Sequence, residues 1–139
     1  MSPPLDLTRL EAGRRGTADL VVAPEHTAPR VGSGRIAVLA TPVLINVIEA
    51  AALDCVEHLL PAGLQSLGVH LDVRHFAATP VGMRIVAVAE LSQVEGRILS
   101  FQVQARDERE AIAEGRHQRV VINVARFDQR VQRKLTAPG

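Results

Sequence analysis

The sequence predicts an α+β domain in which a curved antiparallel sheet encloses one long helix. Two observations carry this. The run from Thr41 to Pro61, TPVLINVIEAAALDCVEHLLP, is apolar almost all the way round a helix, and it is followed by four stretches of period-two patterning separated by turn signals. A helix with so little polar surface has to be wrapped, and a sheet with one apolar face is the wrapping that the rest of the chain supplies.

Thr41 before Pro42 reads as an N-cap followed by proline at the first helical position, and Pro61 with Gly63 supplies the stop. Asn46, Asp54, Glu57 and His58 project within about a third of the circumference at about 100° per residue and define one wet edge. Glu49 lies off that edge, with Ile45, Ala52 and Leu53 as its turn neighbours. A carboxylate there is costly to keep charged unless a partner holds it. It is either a rim or dimer-contact glutamate or a functional acid.

Residues 1 to 16, with Pro3, Pro4, Gly13 and Gly16, read as an extended or frayed, flexible arm, and TADLVVAPEHTA from Thr17 as a first strand ending near Pro24. PRVGSG, Pro29 to Gly34, is a turn or mobile loop, and Arg35 to Ala40 a short extended lead into the helix. After the helix, a strand from about Leu67 to Ala77 sets Leu67, Val69, Leu71, Val73, His75 and Ala77 on one face and Gly68, His70, Asp72, Arg74 and Phe76 on the other. The next strand, about Met83 to Ser92, aligns Met83, Ile85, Ala87, Ala89 and Leu91. The strand from Arg97 to Ala105 turns Leu99, Phe101, Val103 and Ala105 inward, and RDERE, Arg106 to Glu110, is a solvated hairpin tip. The last strand, Ala111 to Val124, has Ala113, Gly115, His117, Arg119 and Val121 on one face; neither face is cleanly apolar at its start, which predicts a bend, an edge or a subunit contact. Phe127, Val131 and Leu135 sit four apart opposite Arg126, Arg130, Arg133 and Lys134, the pattern of a short amphipathic helix over 126–135.

The 139 residues fit a single domain spanning 1–139, with no repeat and no linker. A formal net charge of +1 and an aromatic content of 2% argue against a nucleic-acid footprint and against stacking platforms for bases or sugars. No apolar run reaches a membrane span, the N-terminus lacks the apolar stretch of a signal peptide, and the single Cys55 excludes an internal disulfide; the expectation is a cytoplasmic protein with neither nucleic-acid nor membrane partner. Cys55, among Val and Ala, reads as a small core residue. A zinc site from His70 and His75 fails because their odd spacing sets them on opposite faces of the strand.

The segments ATPVLINVIEAAALDCV, LGVHLDVRHFAATPVGMRIVAVAEL, SQVEGRILSFQVQARD and IAEGRHQRVVINVARFDQRV together resemble the fluoroacetyl-CoA thioesterase-like family of hotdog-fold proteins, over about residues 17 to 135. The resemblance implies a hotdog fold and a homodimer with acyl-CoA sites at the subunit interface. It places the family's catalytic threonine, glutamate and histidine on Thr41, Glu49 and His75, and its further site glycine and arginine on Gly68 and Arg119. Glu49 would be nucleophile or general base, His75 would move the proton, Thr41 would orient Glu49 or water, and Gly68 would let a carbonyl approach backbone N–H groups. Arg119 would neutralise Glu49 or bind the CoA end. No metal or redox cofactor is needed, CoA being part of the substrate. Without the resemblance, Thr41 reads as a helix cap, His75 as a core histidine and Arg119 as a structural ion-pair partner.

The expected function is hydrolysis of a small acyl-CoA thioester; the alternative is an acyl-CoA-binding hotdog dimer without turnover. A hydratase reading lacks the closely spaced Asp and His that such enzymes rely on. The family's fluoroacetyl-specific form carries a longer loop before the helix, with phenylalanines forming a lid, whereas PRVGSGRIAVLA is shorter and holds no aromatic residue. The resemblance therefore carries the reaction class rather than the fluorinated acyl group.

Overall fold

The long helix is covered on one side by a sheet, as its composition demands. The computed structural model describes residues 5–136. The elements run β1 (Arg15–Val21), a 3-10 turn (Pro24–His26), α1 (Ala28–Val31), α2 (Thr41–Val56), a second 3-10 turn (Glu57–Leu59), β2 (Leu64–His75), β3 (Arg84–Glu95), β4 (Ile98–Arg106), β5 (Ala111–Asn123) and α3 (Val124–Thr136). The strands make one antiparallel sheet in the order β1-β3-β4-β5-β2, curled so that β1, β3, β4 and β2 all touch α2. No helix among the described residues is long and apolar enough to cross a membrane.

Leu44, Val47, Ile48, Ala51, Ala52, Cys55 and Val56, spaced by threes and fours along α2, are buried against Ile85, Ala87, Ala89 and Leu91 of β3 and Leu99, Phe101, Val103 and Ala105 of β4. Burying a side chain of the size of Phe101 or Ile85 stabilises the fold by about 1.5–3 kcal/mol. Small residues let helix and strand approach: a Cβ on Gly16 of β1 would run into the Ala51 carbonyl and the Cys55 backbone. Cys55 is a core residue whose burial pushes its thiol up, away from nucleophilic use.

Several expectations are corrected. Residues 1–4 lie outside the described residues, but the remainder of the expected arm is tied down. Leu10 enters the core, the Gly13 N–H donates to the Leu91 carbonyl at 2.8 Å, and the Arg14 carbonyl accepts from the Leu91 N–H at 2.8 Å. The loop before α2 contains a short helix, α1, closed by Gly32 at φ 82°, and Arg35 to Ala40 is not a strand: only Leu39 pairs, in one bridge to Thr27. Thr41 does not cap α2. Ala40 holds the capping position in an extended conformation, Thr41 is the first helical residue, and its hydroxyl is turned elsewhere.

The hairpin tip is not wholly solvated either. Asp107 is buried and accepts from the Thr79 hydroxyl at 2.9 Å and from the Arg109 and Glu110 backbone N–H at 2.8 and 3.0 Å. Burial pushes its carboxyl up, and those three bonds outweigh it, leaving it below the ordinary 3.8. Strand β5 is interior, between β4 and β2, so its mixed start marks a bend, where pairing with β4 shifts between Ala105 and Arg106, and not an edge. The amphipathic pattern does form α3, but none of its residues is buried; Val131 and Leu135 stay exposed.

The most consequential correction concerns β2. Its pairing with β5 slips between Gly68 and His70, leaving Val69 unmatched. A bulge of this kind resets the alternation of faces. Gly68 is therefore opposite Arg119, and Leu71 opposite His117, so Ser66, Gly68, Leu71, Val73 and His75 share the helix-facing side. The expected separation of Gly68 from His75 does not hold. His70, opposite Gln118, stays on the outer side, away from His75.

Candidate active site

The start of α2 and the end of β2 meet at one place. Thr41 Oγ1 lies 2.8 Å from His75 Nδ1, a hydrogen bond in which the hydroxyl can donate or accept. Burial pushes His75 below its ordinary 6.5, which favours the neutral ring at pH 7. Its Nε2 is buried and has no hydrogen-bond partner among the described residues. The pair opens on a cavity of about 380 Å³ whose other walls include Ala28, Arg35, Val38, Ala77 and Ala78.

Glu49, two turns further along α2, belongs to a second cluster. Its Oε2 sits 3.3 Å from Arg119 Nη1 and 4.0 Å from His117 Nε2. Arg119 supplies the partner that a carboxylate on this face requires. Arg119 is itself only 5% exposed and its guanidinium is held from behind: Nε donates to Ser66 Oγ at 2.8 Å, Nη2 to the Ser66 carbonyl at 3.2 Å, and Nη1 to His117 Nε2 at 3.2 Å. Ser66 is fixed in turn, its hydroxyl donating to Glu57 Oε1 at 2.6 Å and its N–H to Glu57 Oε2 at 2.9 Å. Glu57 therefore faces inward, while Asn46, Asp54 and His58 keep the wet edge expected of them.

Gly68 is required by this packing. A Cβ there would run into the Glu49 carboxylate, so only glycine lets the helix acid lie against the strand. Of the two roles left open for Arg119, the geometry of this chain supports the neutralising one, since most of its N–H groups already have protein partners and one of them reaches Glu49.

The five expected site residues thus fall into two groups, Thr41 with His75 and Glu49 with Gly68 and Arg119. On α2, eight positions separate Thr41 from Glu49, about 12 Å of rise. One thioester carbonyl cannot touch both groups of a single chain. His117, Ser66 and Glu57 were missed as site residues. The available signal for His117 was its position two residues before Arg119 on the same strand face. Among the described residues no cluster of three or more metal-ligating side chains occurs. A larger hollow of about 570 Å³, on the outer face of the sheet among Arg15, Asp72, Arg74, Glu114 and Arg116, contains none of these side chains.

The model of the fluoroacetyl-CoA-specific thioesterase family matches residues 22–125, which takes in both clusters. The chain belongs to that family. It is 37% identical over 134 residues to a fluoroacetyl-CoA thioesterase of Streptantibioticus cattleyicolor, covering 92% of this chain and 96% of that one. A crystal structure of the fluoroacetyl-CoA thioesterase FlK superposes with a TM-score of 0.85 at 35% identity, over 92% of this chain and 98% of that one. A hot-dog-like protein from Thermanaerovibrio acidaminovorans, at 21% identity and a TM-score of 0.87 over 96% of this chain and all of that one, shares the fold.

Proposed function

We propose that this member of the family hydrolyses small acyl-CoA thioesters to the free acid and CoA. It does so as a homodimer in which each site draws Thr41 and His75 from one chain and Glu49, Gly68 and Arg119 from the other. One observation carries the reading: Glu49 is held by Oε2 against Arg119, while Oε1 has no hydrogen-bond partner among the described residues, so one carboxylate oxygen is fixed and the other left free to react. A neutral imidazole with an unpartnered Nε2, bonded to a hydroxyl, is the complementary half: it can take up a proton from water and, as imidazolium, pass it to the departing thiolate.

Attack by Oε1 on the thioester carbonyl, or removal by Oε1 of a proton from the attacking water, gives a tetrahedral oxyanion. Its collapse breaks the C–S bond and releases CoA; where water attacked, the free acid forms at once, and where Oε1 attacked, a mixed anhydride with Glu49 remains, which water hydrolyses to the acid and the restored carboxylate. The Thr41–His75 cavity, about 380 Å³, has apolar wall residues such as Ala28, Val38, Ala77 and Phe76 beside the charged Arg35, a size and lining that support a short acyl group. The dimer reading rests on β2, an edge strand with Leu67, Val69 and Leu71 exposed, and on Ala50 and Leu53, uncovered on α2 beside Glu49. An apolar edge of this kind is a template for pairing with a second copy. CoA thioesters as substrate and a free Cys55 support a cytoplasmic location.

The test is a panel of acyl-CoA and acyl-carrier-protein thioesters monitored for free thiol, run beside Glu49→Gln. The expected result is turnover of short acyl-CoA esters, reduced by roughly 10³-fold or more in a folded Glu49→Gln variant. Tight acyl-CoA binding with no thiol release from any ester would replace this reading with a non-catalytic binder. Undiminished activity of Glu49→Gln would remove the acid from the mechanism.

A further inference from the structure

We infer that His117 is a positioning residue that acts as a neutral hydrogen-bond acceptor, holding Arg119 so that Glu49 is gripped by Oε2 and presents Oε1 as the reacting oxygen. The inference rests on the proposed thioesterase reading for its kinetic consequence, but its structural content stands apart from it. His117 is completely buried, and both ring nitrogens are engaged: Nδ1 lies 2.8 Å from the His70 carbonyl and Nε2 lies 3.2 Å from Arg119 Nη1. A carbonyl only accepts, so Nδ1 carries the hydrogen; a guanidinium only donates, so Nε2 offers its lone pair. One tautomer satisfies both partners, and it is uncharged.

That assignment decides what His117 does to Glu49. Its Nε2 is 4.0 Å from Glu49 Oε2, too far for a hydrogen bond, and it has no proton to donate. The influence therefore passes through Arg119. Nη1 is shared between His117 and Glu49, while Ser66, backed by Glu57, takes Nε and Nη2. With the guanidinium held along two edges, its remaining direction is toward Oε2. The ring cannot swing away, because Phe101 stacks on it with centroids 5.9 Å apart and an interplanar angle of 25°, and Gly68 closes on the other side. A bulge on β2 creates the slot: it brings Gly68 opposite Arg119 and Leu71 opposite His117.

The experiment compares the full-length wild-type protein with His117→Phe, His117→Gln and His117→Asn. Phenylalanine keeps the stacking volume and removes the acceptor; glutamine returns a carbonyl oxygen at roughly the reach of Nε2; asparagine keeps a donor for the His70 carbonyl but falls short of Arg119. Expected are a kcat lowered about 10- to 100-fold in the Phe and Asn variants with KM within about twofold, and recovery to within about fivefold in the Gln variant. A second readout needs no substrate. Exchange of the Arg119 Nε–H, followed by proton–nitrogen NMR, should be slow in wild type and His117→Gln and at least about tenfold faster in the other two. Slow exchange in a folded Phe or Asn variant overturns the inference whether or not the protein is a thioesterase. So does wild-type kcat in either, or equal losses in Gln and Phe. If the wild type hydrolyses no thioester while exchange follows the expected order, the positioning array stands and the functional reading alone fails.

Discussion

The two clusters at opposite ends of one stretch of α2 are built on different terms. Thr41 and His75 hold each other by a single hydrogen bond, at the junction of a helix start and a strand end, beside a loop carrying α1 and the exposed Ile36. Glu49 is held by a guanidinium that is itself held at every edge, in a layer where His117 and Arg119 are buried between α2 and the sheet. The first arrangement leaves a buried nitrogen without a partner and a cavity in front of it. The second leaves one carboxylate oxygen free and satisfies the rest. Proton transfer tolerates a small shift of an imidazole. In the proposed reaction, attack at a carbonyl does not tolerate a misplaced nucleophile or base, and the rigid network lies around the acid proposed for that step.

The sharpest way to break this comparison is to separate the clusters onto different chains. If each site takes one cluster from each subunit, His75→Ala and Glu49→Gln are each nearly inactive alone. Mixed by unfolding and refolding together, they should recover about a quarter of wild-type activity, since half of the dimers are mixed and each mixed dimer has one intact site. No recovery in a mixture that demonstrably forms mixed dimers would return both clusters to one chain. Next in size is Gly68→Ala. Its methyl occupies the place of the Glu49 carboxylate, so kcat should fall about 10- to 100-fold. The Thr41–His75 hydrogen bond, read from the downfield His75 ring proton, should be unchanged; a shift there would show that the clusters are coupled within the chain.

The smallest expected effect is on stability against pH. Burial pushes both His75 and His117 below 6.5, opposed at His117 by the hydrogen bond with the His70 carbonyl. The unfolded chain then takes up protons first as the pH falls, so the stabilisation is complete above about pH 6.5 and is lost progressively below it. The urea midpoint should be lower at pH 5.5 than at pH 7.5, and His117→Phe should flatten that dependence. A midpoint rising as the pH falls over this interval would contradict the neutral imidazoles.

Much of the fold was legible because its signals are local. The apolar helix, the inward set of β3 and that of β4 each follow from periodicity alone, and the structure buries most of those residues, with Ala50 and Leu53 of the helix exposed and Met83 half-buried just before β3. The candidate site was legible only in part. Glu49 and His75 could be picked out as polar groups in apolar patterns, but the face of Gly68 could not, because one unmatched residue at Val69 reverses the alternation that a period-two reading extends along the strand. The short Pro- and Gly-rich arm concealed a core leucine for a related reason: composition predicts loose backbone and says nothing about one side chain finding a cavity.

By itself, then, the sequence determined that one apolar helix must be enclosed by an antiparallel sheet, since hydrophobic periodicity is a property of neighbours along the chain. Only the tertiary structure decided which polar groups meet. Arg119 and His117 come from β5, Ser66 and Gly68 from β2 and Glu49 from α2, and what joins them is strand register and a bulge, set by long-range pairing.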